Sequence, residues 1–122
     1  MEHITELRDL SAQKENQGTV GIFKLRKPLM VNGEKVTEIP YDFESMTVGN
    51  KLMATKNMMS AGYPSSNVEE FDPVYHLFLF AKAVEVATNE RITTADILRM
   101  NARDGQVAGA LARDFFYLLT ED

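Results

Sequence analysis

The chain has 122 residues, 44% of them hydrophobic and 25% charged, with a formal net charge of -5 and no cysteine. That length suits one domain with its own core, and the missing cysteines exclude disulfides and thiolate metal sites and make a reducing compartment the natural setting. No apolar run approaches the roughly 18 residues of a membrane helix, and the start MEHITELRDLSAQKENQG has charges where a signal peptide needs an apolar segment, so a soluble cytoplasmic protein is expected.

The charge is uneven along the chain. Residues 1 to 23 carry four acids and two bases, residues 24 to 60 six bases and four acids, and residues 61 to 122 five bases and ten acids. Phosphate backbones reward clustered Lys and Arg, so this mildly acidic chain is a poor nucleic-acid binder. Lys24, Arg26 and Lys27 form one small basic cluster, read first as a solvated strand edge that discourages aggregation and second as a contact for an acidic protein partner.

In chain order, residues 1 to 18 scatter Ile4, Leu7 and Leu10 among charges before a polar run, enough for one or two amphipathic turns but little burial. They are expected to be a mobile tail, and residues 19 to 122 a single α+β domain with a hairpin over 19 to 43 and a helical part over 44 to 122. TVGIFKLRKPLMV is rich in β-branched and aromatic residues, and Asn32-Gly33 supplies the positive φ angles of a type I′ turn. Counting outward from that turn sets Leu29 opposite Val36 and Lys27 opposite Glu38. Apolar parity breaks between Val36 and Ile39, so either a bulge there or a slip near Pro28 is needed to keep one buried face.

After Phe43 the apolar period lengthens toward 3.6. Thr47 reads as an N-cap, followed at helical spacing by Val48, Leu52, Thr55 and Met59. Asp72-Pro73 reads as the N-cap and first residue of a second helix, VYHLFLFAKAVEVAT, whose Leu77, Phe78, Phe80, Ala81 and Val84 are expected to be buried. Thr93 and Asp96 have capping-box spacing ahead of a short helix, and Asn101 caps a last helix over residues 102 to 119 with Val107, Leu111, Phe115 and Leu118 on one stripe. The fold class is therefore α+β: an N-terminal β-hairpin followed by a three- to four-helix domain.

The residues single out no catalytic, cofactor-binding or metal-ligating set. His3 and His76 are too far apart in sequence to share a helical face, and His76 inside an apolar helix reads as a core or rim histidine. Glu69, Glu70 and Asp72 precede a helix N-terminus, where the helix dipole favours acids, and Asp104 and Asp114 read as solvated helix charges. Gly105 and Gly109 fall within helical periodicity, where small residues permit close helix packing.

Candidate partner-binding residues are of two kinds. Met53, Met58 and Met59 cluster near a helix end, either as core filler or as an adaptable binding groove. Phe115, Phe116 and Tyr117 are consecutive and cannot all face one side of an α-helix, which leaves at least one exposed or packed on a partner.

The segment FKLRKPLMVNGEKVTEIPYDFESMTVGNKL resembles the N-terminal signature of the tail assembly chaperones of tailed bacteriophages. It has a short basic strand ending in Lys-Pro, an Asn-Gly turn, a Val-Thr-Glu-Ile return strand and a Thr-Val-Gly helix start. The likeness continues more loosely through FDPVYHLFLFAKAVEV and ITTADILRMNARDGQVAGAL, around Asp104, and covers about residues 20 to 118. Asn50 stands where members of that family often carry an acid.

What this resemblance implies is a non-enzymatic role without cofactors. Such a protein binds the tape measure protein and keeps its helical apolar segments soluble during tail assembly. It helps to recruit tail tube protein, works in the host cytoplasm and is absent from the mature virion. In many relatives a reading-frame slip adds a C-terminal extension, so a longer frameshifted form of the chain is a further implied partner. The alternative is a small non-catalytic adaptor domain of a phage or bacterium. Behind it stand a small enzyme assembled from residues such as Tyr75, His76 and Glu85, and a DNA-binding regulator.

Overall fold

The computed structural model describes residues 20–65 and 68–118. The tail expected over residues 1 to 18 lies outside them, as do Leu119 and the side chain of Leu118. Two antiparallel strands, β1 (Val20–Val31) and β2 (Glu34–Asp42), lead into α1 (Val48–Ser60), a 3-10 turn at Glu69–Phe71, α2 (Pro73–Thr88), the short α3 (Thr94–Ile97) and α4 (Ala102–Arg113). The fold is α+β, an N-terminal hairpin followed by four helices.

The hairpin turn follows from its residues. Asn32 has φ 52 and Gly33 φ 82, the left-handed pair that a type I′ turn requires, and Leu29 pairs with Val36. Replacing Gly33 with Val should cost about 1 kcal/mol or more, since a β-branched residue is strained at positive φ. The readout is a lower melting temperature with the helical circular dichroism intact; an unchanged melting temperature would refute it.

Farther from the turn the register departs from simple counting. Glu38 pairs with Lys24 and not with Lys27, because residues 25 to 28 of β1 bulge opposite Thr37. Proline has no N–H to give a ladder and is tolerated at such a bulge, which here contains Pro28. The bulge also absorbs the parity break, so that Phe23, Leu29 and Val31 face inward together with Ile39 and Tyr41. Next to the strand ends Gly21 is required by space alone, because a Cβ there would lie 2.5 Å from the Tyr41 hydroxyl.

Asp104 of α4 completes the bulge. It is 1% exposed, and its carboxylate accepts from the Arg26 backbone N–H at 3.0 and 3.1 Å and from the Lys27 N–H at 3.1 Å. Expected as a solvated helix charge, it is instead a buried acceptor for N–H groups that the bulge takes out of the ladder.

All four helix starts are capped as their sequences suggest. Thr47 accepts from Asn50 N while the Asn50 amide oxygen accepts from Thr47 N, so Asn50 fills the reciprocal role usually taken by Glu or Gln. Asp72 accepts from Val74 and Tyr75, Thr93 and Asp96 form a capping box, and Asn101 accepts from Arg103. Each cap satisfies N–H groups that have no partner within the helix.

α2 is the core helix. Phe78, Phe80, Ala81 and Val84 are buried, whereas Leu77 is only half-buried and borders a surface depression. The Phe80 ring lies 5.4 Å from Phe23 and 5.7 Å from Tyr41, which joins helix to hairpin. On its other side α4 comes close at Gly109, where a Cβ would already be 3.7 Å from the Leu77 backbone; Gly105 faces open space.

At the far end of α2, Glu85 pairs with Lys82 at 2.9 Å and accepts from the Thr94 N–H and hydroxyl at 2.7 and 2.9 Å, which fixes the start of α3. Burial pushes the Glu85 carboxyl up, but the hydrogen bonds from Lys82 and Thr94 outweigh it and hold the group below its ordinary value.

Candidate functional site

α1 decides where apolar surface is left over. At 100° per residue, Val48, Leu52, Thr55 and Met59 form one narrow stripe, which the sequence would place against the core. The helix is turned otherwise: Ala54 and Met58 are its buried residues, while Val48 is 76%, Leu52 65% and Met59 55% exposed. The inner side of α1 is thus taken by the small Ala54 and by Met58, both within the hydrophobic core. Lys51 and Lys56 flank the exposed stripe, and α1 carries no acid.

The candidate methionines therefore separate. Met58 is 1% exposed and belongs to the core, a correction to its reading as part of a binding surface. Met53 and Met59 are exposed, with Met59 on the stripe and Met53 about 130° around the helix from its centre.

None of the three aromatics is left exposed, as at least one would be on an α-helix. After Arg113 the chain widens into a π-helical turn, Asp114–Leu118, and Phe115, Phe116 and Tyr117 all come to lie half-buried against the core. Phe115 stacks on Phe43 at 5.2 Å, Phe116 meets the same ring edge-on at 5.8 Å, and Tyr117 lies 5.7 Å from His76. A wider turn spreads successive side chains differently from an α-helix, so the limit set by α-helical geometry does not apply. α4 is also turned from its expected stripe: Asp104, Ala108, Leu111 and Ala112 face inward, and Val107 is exposed.

Tyr117 links the aromatic end to α1. Its hydroxyl donates to Glu69 at 3.2 Å, Glu69 pairs with Lys51 at 3.7 Å, and the Lys51 ammonium lies 5.5 Å from the centre of the Tyr75 ring. Burial, followed by the neighbouring Tyr75 and Glu69, pushes the Tyr117 hydroxyl well above its ordinary range.

Comparison with known proteins finds no match among family models, curated proteins or solved structures.

Two surface depressions are lined by none of the stripe's residues. One of about 290 Å³ is mostly apolar, with Tyr63, Val74, Leu77, Leu98 and Gly105 among its walls. The other, about 330 Å³, is polar and contains the Lys82–Glu85 pair beside Asn50 and Asn89. Among the described residues no group of three or more His, Asp or Glu is placed to hold a metal ion. Tyr75, His76 and Glu85 are not gathered into one place, since nine residues of helix separate His76 from Glu85 by about 13 Å. Among the described residues no helix is long and apolar enough to cross a membrane.

His76 has a measurable consequence. It is 4% exposed and its Nε2 has no hydrogen-bond partner. Burial lowers its pKa most, and Arg113 lowers it further, against the Glu69 carbonyl, Asp72 and Asp114, which raise it. A folded value below the unfolded one, about 6.5, means that stability is complete above that pH and falls below it, by up to about 1.4 kcal/mol per pH unit. The loss of stability between pH 7.5 and 5.5 should shrink in His76→Gln. An equal loss in both proteins would assign the effect to other groups.

Proposed function

We propose that this protein is a tail assembly chaperone of a tailed bacteriophage. It binds helical apolar segments of the tape measure protein on the exposed face of α1, keeps them soluble and helps to bring tail tube protein to them. The single observation that supports this reading is the α1 stripe, where Val48, Leu52 and Met59 stand in solvent at helical spacing. Such a face suits an amphipathic helix, which presents its own apolar anchors along one side at helical spacing. Met59 adds a side chain that adapts to a varied partner sequence.

Acidic residues outnumber basic ones over the whole chain, 18 to 13, which favours solubility of a complex that carries an aggregation-prone client. The work is done in the host cytoplasm during assembly, and the chaperone leaves before the virion is complete.

Co-expression with a phage tape measure protein tests the proposal. A soluble complex that withstands added salt is expected, because salt screens charge pairs while apolar contacts persist. No complex and no gain in client solubility would overturn it and leave a general adaptor domain as the better reading.

A further inference from the structure

We infer that the helix docking on α1 carries acidic residues along the flanks of its apolar seam, and that Lys51 and Lys56 select it. This rests on the reading of α1 as a docking face, but it holds for any client helix.

The spacing of the stripe carries the argument. Val48, Leu52, Thr55 and Met59 recur at intervals of four, three and four, the d, a, d, a seam of a coiled coil. Val48, Leu52 and Met59 are exposed and Thr55 is half-buried, so the seam faces outward while Ala54 and Met58 hold the inner side in the core. On that heptad the e positions are Gly49 and Lys56, and the g positions are Lys51 and Met58. At 100° per residue the two lysines lie about 70° to either side of the stripe's centre, where a coiled coil keeps the residues that choose its partner.

The two lysines differ in strength. Lys56 is exposed, and among the described residues it has no ion pair. Lys51 is held beside the seam by Glu69 at 3.7 Å and by the Tyr75 ring at 5.5 Å, and Glu69 offsets part of its charge. Lys56 is therefore the stronger determinant.

Charge also argues against a second copy of the chain. A parallel pair of α1 helices sets Lys51 against the second copy's Lys56, and an antiparallel pair sets each lysine against its own counterpart. Both arrangements oppose like charges, whereas Glu or Asp at the partner's e and g positions makes the same contacts attractive. The whole chain carries a formal charge of -5 and repels an acidic helix at long range. A preference for acidic flanks would run against that field, so it must arise at a local basic surface.

Binding of three labelled peptides to the full-length protein tests the inference. Each is a helix of about three heptads with Leu at a and d, and they differ only in Glu, Gln or Lys at e and g. They are used at nanomolar concentration, so that they do not pair with themselves. At low salt the Glu peptide should bind about tenfold tighter than the Lys peptide, with the Gln peptide between them. Lys56→Glu should reduce that ratio to about twofold or less, and added salt should shrink it while the Gln peptide keeps its affinity. Leu52→Asp should weaken all three, which places them on the seam.

Equal affinity for the three peptides, or a ratio that Lys56→Glu leaves unchanged, overturns the inference and leaves α1 a docking face blind to charge. A dimer of the protein that Leu52→Asp disperses overturns it in favour of a second copy. If no peptide binds, the docking face falls and the inference with it. If the Glu preference holds and tape measure protein is still not bound, only the functional assignment falls.

Discussion

Replacing Asp104 with Ala should lower the stability of the folded chain by about 3 kcal/mol, because charge-assisted hydrogen bonds contribute about 1.5 to 3 kcal/mol each and their loss leaves N–H groups without acceptors. The carboxylate is buried and serves both Arg26 N and Lys27 N. The bulge has already removed those groups from the ladder, so β2 cannot take them back. The melting temperature should fall by about 10 °C or more. Asp104→Asn should lose less, since one oxygen remains to accept. Urea unfolding of both variants provides the check. A change below about 0.5 kcal/mol, ordinary for a surface site, would mean that water satisfies the bulge equally well.

The second large effect concerns binding and leaves the fold alone. Leu52→Asp with Met59→Asp should weaken capture of the client helix by about a hundredfold or more, roughly 2.7 kcal/mol, as expected when two central apolar anchors acquire charge. Both side chains are more than half exposed, so thermal stability should change by no more than about 0.5 kcal/mol. Met58→Ala makes the informative contrast. Met58 is the buried neighbour, and its truncation should cost about 2 to 5 kcal/mol of folding stability. Titration of a labelled client segment reads the first effect and unfolding reads the second. Unchanged affinity in the double Asp variant would remove the α1 stripe from the binding surface.

What could be read from the sequence was local chemistry. Asn32-Gly33 dictates its turn through backbone sterics, and Thr47, Asp72, Thr93 and Asn101 dictate helix starts through their own side-chain oxygens. None of these needs information from a distant part of the chain. Which face of an element points inward is a different matter. Val48, Leu52 and Met59 form a stripe that hydropathy alone would bury, yet Ala54 and Met58 take the inner side, a choice made by tertiary packing that the local pattern does not contain.

Asp104 misleads for a related reason. A carboxylate at a helix start is ordinarily solvated, and its partners here lie in a bulge 77 and 78 residues away in sequence. The parity break did signal an irregularity in the hairpin and offered a slip near Pro28 as one remedy. Nothing in the local pattern says that the freed N–H groups would find a helix side chain. The aromatic triplet Phe115, Phe116 and Tyr117 misleads because α-helical geometry does not hold where the chain forms a π turn.

The long reach of Asp104 also sets an order of events during synthesis. At roughly 5 to 20 residues per second, some 4 to 16 s pass between the addition of Arg26 and that of Asp104, and α4 must then clear the ribosome before the carboxylate can meet the bulge. Through that interval β1 is a strand with N–H groups still seeking acceptors, the kind of edge that invites pairing with other chains. A nascent chain that stops short of Asp104 lacks the acceptor altogether. The closing lock of the hairpin is thus delivered by one of the last helices made, which ties the first strand to completion of nearly the whole domain.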